Sequence, residues 1–314
     1  MRHSLPCRAV IALTAAITLG GTPAHAWFSR GHARVARAAV RALPASVPRF
    51  FRDGAWTVGE ASVDPDLWKD KTLPALRAAE EPAHFLDWEL LQGAPLPPDR
   101  WAFAALLAQK RLDSARVGTL PYSVIEGLQR LTLAFAEHRR WPDRADIQQK
   151  ALVYAGWLAH YAGDLEQPLH TTVHHDGRAL PDGSSPKTGI HQLMDGLLER
   201  PPLDEAALDR GLRVRVFLDP WAAVQGELVE SHALVGRVYQ LEPHLRAAWP
   251  PTATGVSAAT AAPAVAPAVV AFAGERYRAA SGFLASLFLT AWKQSAYVQL
   301  PTWLERPPAS RSGH

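Results

Sequence analysis

Trp157-Leu158-Ala159-His160-Tyr161-Ala162-Gly163-Asp164-Leu165-Glu166-Gln167-Pro168-Leu169-His170 holds more information per residue than any other part of this chain. His160 and Asp164 are four apart, so on one helix they project from the same face and can meet one cation. Gln167-Pro168 then breaks the helix and brings His170 back from a loop. By chance, His-x3-Asp-x5-His is expected on the order of 0.03 times in a chain of this composition. The match suggests a metal-binding helix and needs support from elsewhere.

Working outward, apolar residues recur at three and four over His32 to Leu43, Arg100 to Lys110, Pro121 to His138, Asp146 to Asp164, Trp221 to Leu241 and Ala268 to Ala296. No alternating strand stands out. The expected fold is all-α, a single multi-helix domain over 27–304. Loops rich in Pro and Gly, Leu91 to Asp99 and Asp176 to Gly189, connect the helices over the surface. Residues 250–267 form an Ala/Pro-rich loop or linker without charge, and 305–314 read as a disordered tail.

Further ligand candidates lie on both sides. His191 and Asp195 repeat the helical spacing of His160 and Asp164, although either pair alone also fits a His–Asp contact on a helix surface. Upstream, Glu81-Pro82-Ala83-His84-Phe85-Leu86-Asp87 sets a histidine in an apolar context, and Asp64-Pro65-Asp66 offers two carboxylates at a proline turn. Alone, His84 fits a core histidine and Asp64-Pro65-Asp66 a plain turn. His174 and His175 are expected on the surface.

Residues 1–26 have the three parts of a secretory signal: Arg2 and Arg8, an apolar run from Ala9 to Leu19, and Ala24-His25-Ala26. That run is shorter than the ~20 apolar residues of a spanning helix, so no transmembrane anchor is expected. Cleavage after Ala26 frees Trp27, whose α-amine and carbonyl can close a chelate ring, with His32 adding an imidazole if the chain turns at Gly31. The lone cysteine, Cys7, lies in this leader, so the mature chain has no thiol nucleophile and no disulfide. Losing Arg2 and Arg8 takes Lys+Arg from 33 to 31 against 30 Asp+Glu, so net charge announces neither a nucleic-acid nor a membrane surface.

From Trp27 to about Glu199 the chain resembles the zinc-dependent phospholipase C and S1/P1 nuclease superfamily. Mature Trp-x4-His, His-Phe-x-Asp, the His-x2-Gly-Asp-x2-Gln-Pro-Leu-His box and a later His-x3-Asp occur in that family's order. The resemblance implies an all-helical fold with three zinc ions. One ion of a close pair would be held by a carboxylate of Asp64-Pro65-Asp66, His84, His160 and Asp164. Its neighbour would take Trp27, His32 and Asp164, which bridges, and a third ion would take His170, His191 and Asp195. Asp64 and Asp66 both suit the family's single-Asp position, and Asp66 is preferred for its Pro-Asp setting. Gly189 stands where many nucleases of the family carry Asn.

The implied activity is metal-dependent phosphodiester hydrolysis by a secreted or periplasmic enzyme with no obligate protein partner. Asp87 is the candidate for orienting a ligand or the attacking water, with an exposed helix-start acid as the plain alternative. Phe85 and Tyr161 are candidates for stacking a base, or else for core packing. The Gln167-to-His170 wording favours a nuclease cleaving single-stranded DNA or RNA and 3′-nucleotides to 5′-phosphates. The alternative is a phospholipase C acting on phospholipid headgroups, against which stands Asp195 where those enzymes usually carry Glu, with Glu199 nearby. A zinc-binding protein without catalysis gains nothing from a bridging carboxylate and open coordination positions.

Overall fold

The computed structural model describes residues 27–249 and 265–305, and among these every regular element is helical. The proposed leader 1–26, most of the 250–267 linker and the tail from 306 lie outside the described residues. Fourteen α-helices are described: α1 Ser29–Arg41, α2 Arg49–Asp53, α3 Ala55–Ala61, α4 Asp64–Leu67, α5 Pro74–Glu80, α6 Arg100–Lys110, α7 Ser114–Val117, α8 Leu120–Arg140, α9 Ala145–Leu165, α10 Ile190–Asp195, α11 Glu205–Asp209, α12 Pro220–Ala233, α13 Val235–Ala248 and α14 Pro267–Gln294. Short 3₁₀ turns at Glu81–His84 and Pro168–Thr171 matter most for the site.

The long helices start where side-chain chemistry favours it. Asp99 caps α6 by accepting from the Trp101 and Ala102 amides, and Asp219 caps α12 through the Ala222 amide. Proline occupies the first turn of α8, α12 and α14, where a missing amide costs nothing. The segment expected as one helix over Trp221 to Leu241 is two, because the chain turns at Leu234, whose amide closes the end of α12 on Ser231. Pro267, expected in the linker, opens α14.

Helices α8 and α9 form a hairpin, and α1, α3 and α14 pack against it. Their shared core includes Val35, Val40, Phe51, Phe135, Leu158, Phe272 and Phe288, all essentially inaccessible. Arg276 of α14 donates to Glu166 at 3.0 Å, tying the C-terminal end of α9 to α14 inside the protein. No helix among the described residues is long and apolar enough to cross a membrane. This frame leaves α9 in the middle, where its polar C-terminal face meets α1, α4 and the turn at His84.

Candidate metal centre

Helix α9 presents His160 and Asp164 from one fully buried face, as their spacing requires. Between them Gly163 lets α1 approach: a Cβ there would lie 2.7 Å from His32 Nδ1. His32 consequently stacks on His160, with ring centroids 4.1 Å apart. Trp27 is buried beside His32, its ring 6.0 Å away. The start of α1 is held from the far side, where Phe28 donates its amide to the Asp195 carbonyl and Gly31 to Glu199 Oε1, each at 3.0 Å.

The two carboxylates of α4 separate. Asp66 is buried within the centre, whereas Asp64 accepts from Trp157 Nε1 at 3.1 Å. Lys69, one helical turn after Asp66, is buried with it, Nζ 2.6 Å from Asp66 Oδ1. His84 enters from the 3₁₀ turn Glu81–His84, His170 from the turn Pro168–Thr171, and His191 with Asp195 from α10. Gly189 precedes α10 with φ of +83°, in the left-handed region, and donates its amide to Asp176 Oδ1 at 2.6 Å.

Three buried His/Asp groups that could hold metal ions result: His32, His160 and Asp164; Asp66, His84 and His160; and His170, His191 and Asp195. Within each, the candidate ligand atoms all lie within 4.8 Å of one another. Asp164 serves two directions. Its Oδ1 lies 3.3 Å from His32 Nε2, while its Oδ2 lies 3.0 Å from His84 Nδ1 and 3.4 Å from His160 Nε2.

Backbone carbonyls set the imidazoles. His160 donates Nδ1–H to Ser62 O at 2.8 Å, His170 to His84 O at 2.6 Å and His191 to His175 O at 3.2 Å. Each neutral ring then turns an Nε2 lone pair inward, the arrangement that prepares histidine for a cation. Those of His170 and His191 meet no hydrogen-bond partner among the described residues, nor does Asp195 Oδ2. His84 Nδ1 and His160 Nε2 face each other at 2.9 Å, which needs a proton or a cation between them. Gln167 links two ligands: it donates to Asp195 Oδ1 at 2.9 Å and accepts from the Leu169 amide at 2.7 Å, capping the turn that carries His170.

Burial governs the charges. It holds His32 and His160 down to about 4 and His191 to about 3, and His84 and His170 well below the ordinary histidine value. The same burial pushes Asp164 up to about 8 and Asp195 well above the ordinary carboxylate range. Neutral imidazoles beside carboxylates that resist ionisation are what a buried cation site looks like before a cation supplies the missing charge.

A cleft of about 370 Å³ opens onto the centre, lined by Lys69, His84, Phe85, Asp87, Arg116, His170, His175 and His191. Phe85 is half-buried on its wall. Asp87 is pushed up to about 7, by burial first and by Glu89 second, with Arg116 partly offsetting them. His175 is half-buried on the cleft wall rather than on the open surface, because its carbonyl is engaged by His191. Tyr161 lies behind the centre, packed on His84 and His160 and donating to Glu80 Oε2 at 2.9 Å.

No protein-family model matches this chain, and no curated protein matches it in sequence. Lys69 and Arg116 are cleft residues absent from the expected site, and His175, expected on the surface, is a third. Only Lys69 carried a signal, its place one helical turn after Asp66.

Proposed function

We propose that this chain is a secreted or periplasmic zinc-dependent phosphodiester hydrolase of the phospholipase C and S1/P1 nuclease type. Within that type we read it as a nuclease cleaving single-stranded DNA or RNA and 3′-nucleotides to 5′-phosphates. The observation that carries this reading is the disposition of Asp164, whose two oxygens face two adjoining ligand groups while His170, His191 and Asp195 form a third. A bridging carboxylate with a third site nearby serves phosphoryl chemistry, in which both attacking and leaving oxygens need stabilisation.

Histidine nitrogen and carboxylate oxygen without thiolate form a donor set that suits zinc. One ion would be held by Asp66, His84, His160 and Asp164. A second would be held by His32, Asp164 and, once the leader is removed, the amine and carbonyl of Trp27. The third would be held by His170, His191 and Asp195. When bound, these ions would supply Lewis-acid activation of the phosphoryl group and of water.

The chain's own side chains do the rest. Arg116 brings a cation to the cleft that suits the single negative charge of a phosphodiester, while Lys69, paired with Asp66, lines the same wall. Asp87, with a pKa raised to about 7, can hold or release a proton at working pH. Phe85 offers a half-buried ring against which a base can stack.

The test is hydrolysis by protein beginning at Trp27, with and without chelator, of single-stranded DNA beside a phosphatidylcholine analogue. Chelator-sensitive release of 5′-nucleotides is the expected result. Headgroup release alone would move the chain to the phospholipase branch, and hydrolysis of neither would overturn the reading.

A further inference from the structure

A second cavity, of about 430 Å³, lies behind the cleft. Lys69, Glu81 and His84 line the cleft, while the residue preceding each, Trp68, Glu80 and Ala83, lines the second cavity. Adjacent residues thus turn to opposite sides of one stretch of chain. Tyr161 completes the partition, its ring against His84 and its hydroxyl on Glu80. The two cavities stand back to back and share no lining residue.

Aromatic rings dominate one wall. Trp157 meets Trp68 edge-on at 5.0 Å and Tyr154 in a tilted contact at 5.3 Å, and all three side chains remain half-buried at the cavity. The charged groups divide into committed and uncommitted. Arg100 is consumed by Glu126, Thr119 and Ser123. Arg130 is 54% exposed, and its only ion pair among the described residues is a 3.5 Å contact with Glu126. Glu80 accepts one bond, from Tyr161, on Oε2, leaving Oε1 and the second lone pair of Oε2 available as acceptors.

An aromatic platform, an available carboxylate and an available guanidinium ask for a ligand that combines a flat ring, hydrogen-bond donors and an anion. Among nucleobases guanine presents an adjacent N1–H and N2–H pair that a single carboxylate can accept, whereas adenine and cytosine present one amino group toward it. A quaternary ammonium also stacks on indole, but it offers no N–H to the Glu80 carboxylate, and of the charged groups in the lining Arg100 is already neutralised by Glu126. We propose that this cavity binds a guanine nucleotide, the ring on Trp68, Trp157 and Tyr154, the base edge on Glu80 and the phosphate on Arg130. The ligand is either a free mononucleotide or a guanosine within a strand. The site is separate from the metal centre, and its chemistry does not depend on the hydrolytic reading.

The test titrates the metal-loaded chain beginning at Trp27 with GMP, AMP and phosphocholine, following tryptophan fluorescence and heat. GMP should bind roughly tenfold or more tightly than AMP, the discrimination typical of a bidentate base contact. Glu80→Gln should erase that preference, and Arg130→Ala should weaken GMP while sparing the nucleoside guanosine, with metal content unchanged in both. A phosphorothioate pentathymidylate carrying one central guanosine, which resists hydrolysis, identifies the source: binding with the GMP preference assigns a strand, and binding of GMP alone assigns the free nucleotide. Equal affinity for GMP and AMP, a preference that survives Glu80→Gln, or stronger binding of phosphocholine would each overturn the proposal. Because none of these readouts is hydrolysis, an inactive protein that still selects GMP would sink the proposed function and leave the pocket standing.

Discussion

Replacing Asp164 by Asn tests whether one carboxylate joins two metal groups. The substitution keeps the shape of the side chain and one carbonyl oxygen but removes the second anionic oxygen, and the two oxygens of Asp164 face His32 on one side and His84 with His160 on the other. Loss of a partner that merely orients a ligand costs about 10–100-fold in metal affinity, so loss of a shared ligand should cost at least that at both groups. Metal analysis after gel filtration should therefore show roughly two of three equivalents gone, whereas Asp195→Asn should lose roughly one. Misfolding can be separated from metal loss. In the chelator-stripped protein Asp164 is held up to about 8 by burial, so at pH 7 it is mostly protonated and Asn replaces one neutral group with another. The stripped variant should melt close to the stripped parent. A variant that retains more metal than Asp195→Asn, while melting normally when stripped, would refute the bridging role.

Three other outcomes are expected. A chain that retains residues before Trp27 should lose one metal equivalent of the pair and most activity, since its α-amine is then a peptide nitrogen; equal metal content and rate in both forms would contradict this. Burial raises Asp87 to about 7, so in the stripped protein the native state keeps a proton that the unfolded chain has released between about pH 4 and 7, and stability should fall as pH rises through that window. Asp87→Asn should flatten that slope, as thermal melts across pH would show, and should remove a limb near pH 7 from the activity profile. Gln167→Ala should weaken the His170–His191–Asp195 group by about 10–100-fold, because both Asp195 and the turn carrying His170 lose the same partner. Unchanged metal retention during dialysis against a weak chelator would count against that role.

Long helices were legible because a three-to-four period persists long enough to be seen. The expected Arg100 to Lys110 coincides with α6, and Asp146 to Asp164 falls one residue short of α9 at each end. Helices α2 to α5 escaped notice, since four to seven residues span at most two turns and cannot display a period. The break at Leu234 was equally hidden, because neither proline nor glycine marks that residue. Among the site residues, His160 with Asp164 and His191 with Asp195 were readable from helical spacing. Asp66 lies in a buried group that could hold a metal while Asp64 accepts from the Trp157 indole N–H, a tertiary difference that spacing does not encode. His175 reaches the cleft through a carbonyl contact with His191, a relation between backbone and ring that spacing does not encode.

The eight buried residues of the three groups come from positions 32 to 195, with His32 and His160 separated by roughly 130 residues of chain. Ions seated there would act as cross-links closing long loops, in a sequence whose single cysteine precedes every described residue. Secreted proteins commonly resist extracellular conditions through disulfides, which respond to reductant. A chain held by such ions would instead answer to chelators and be indifferent to reductant, so its durability would follow the local supply of metal.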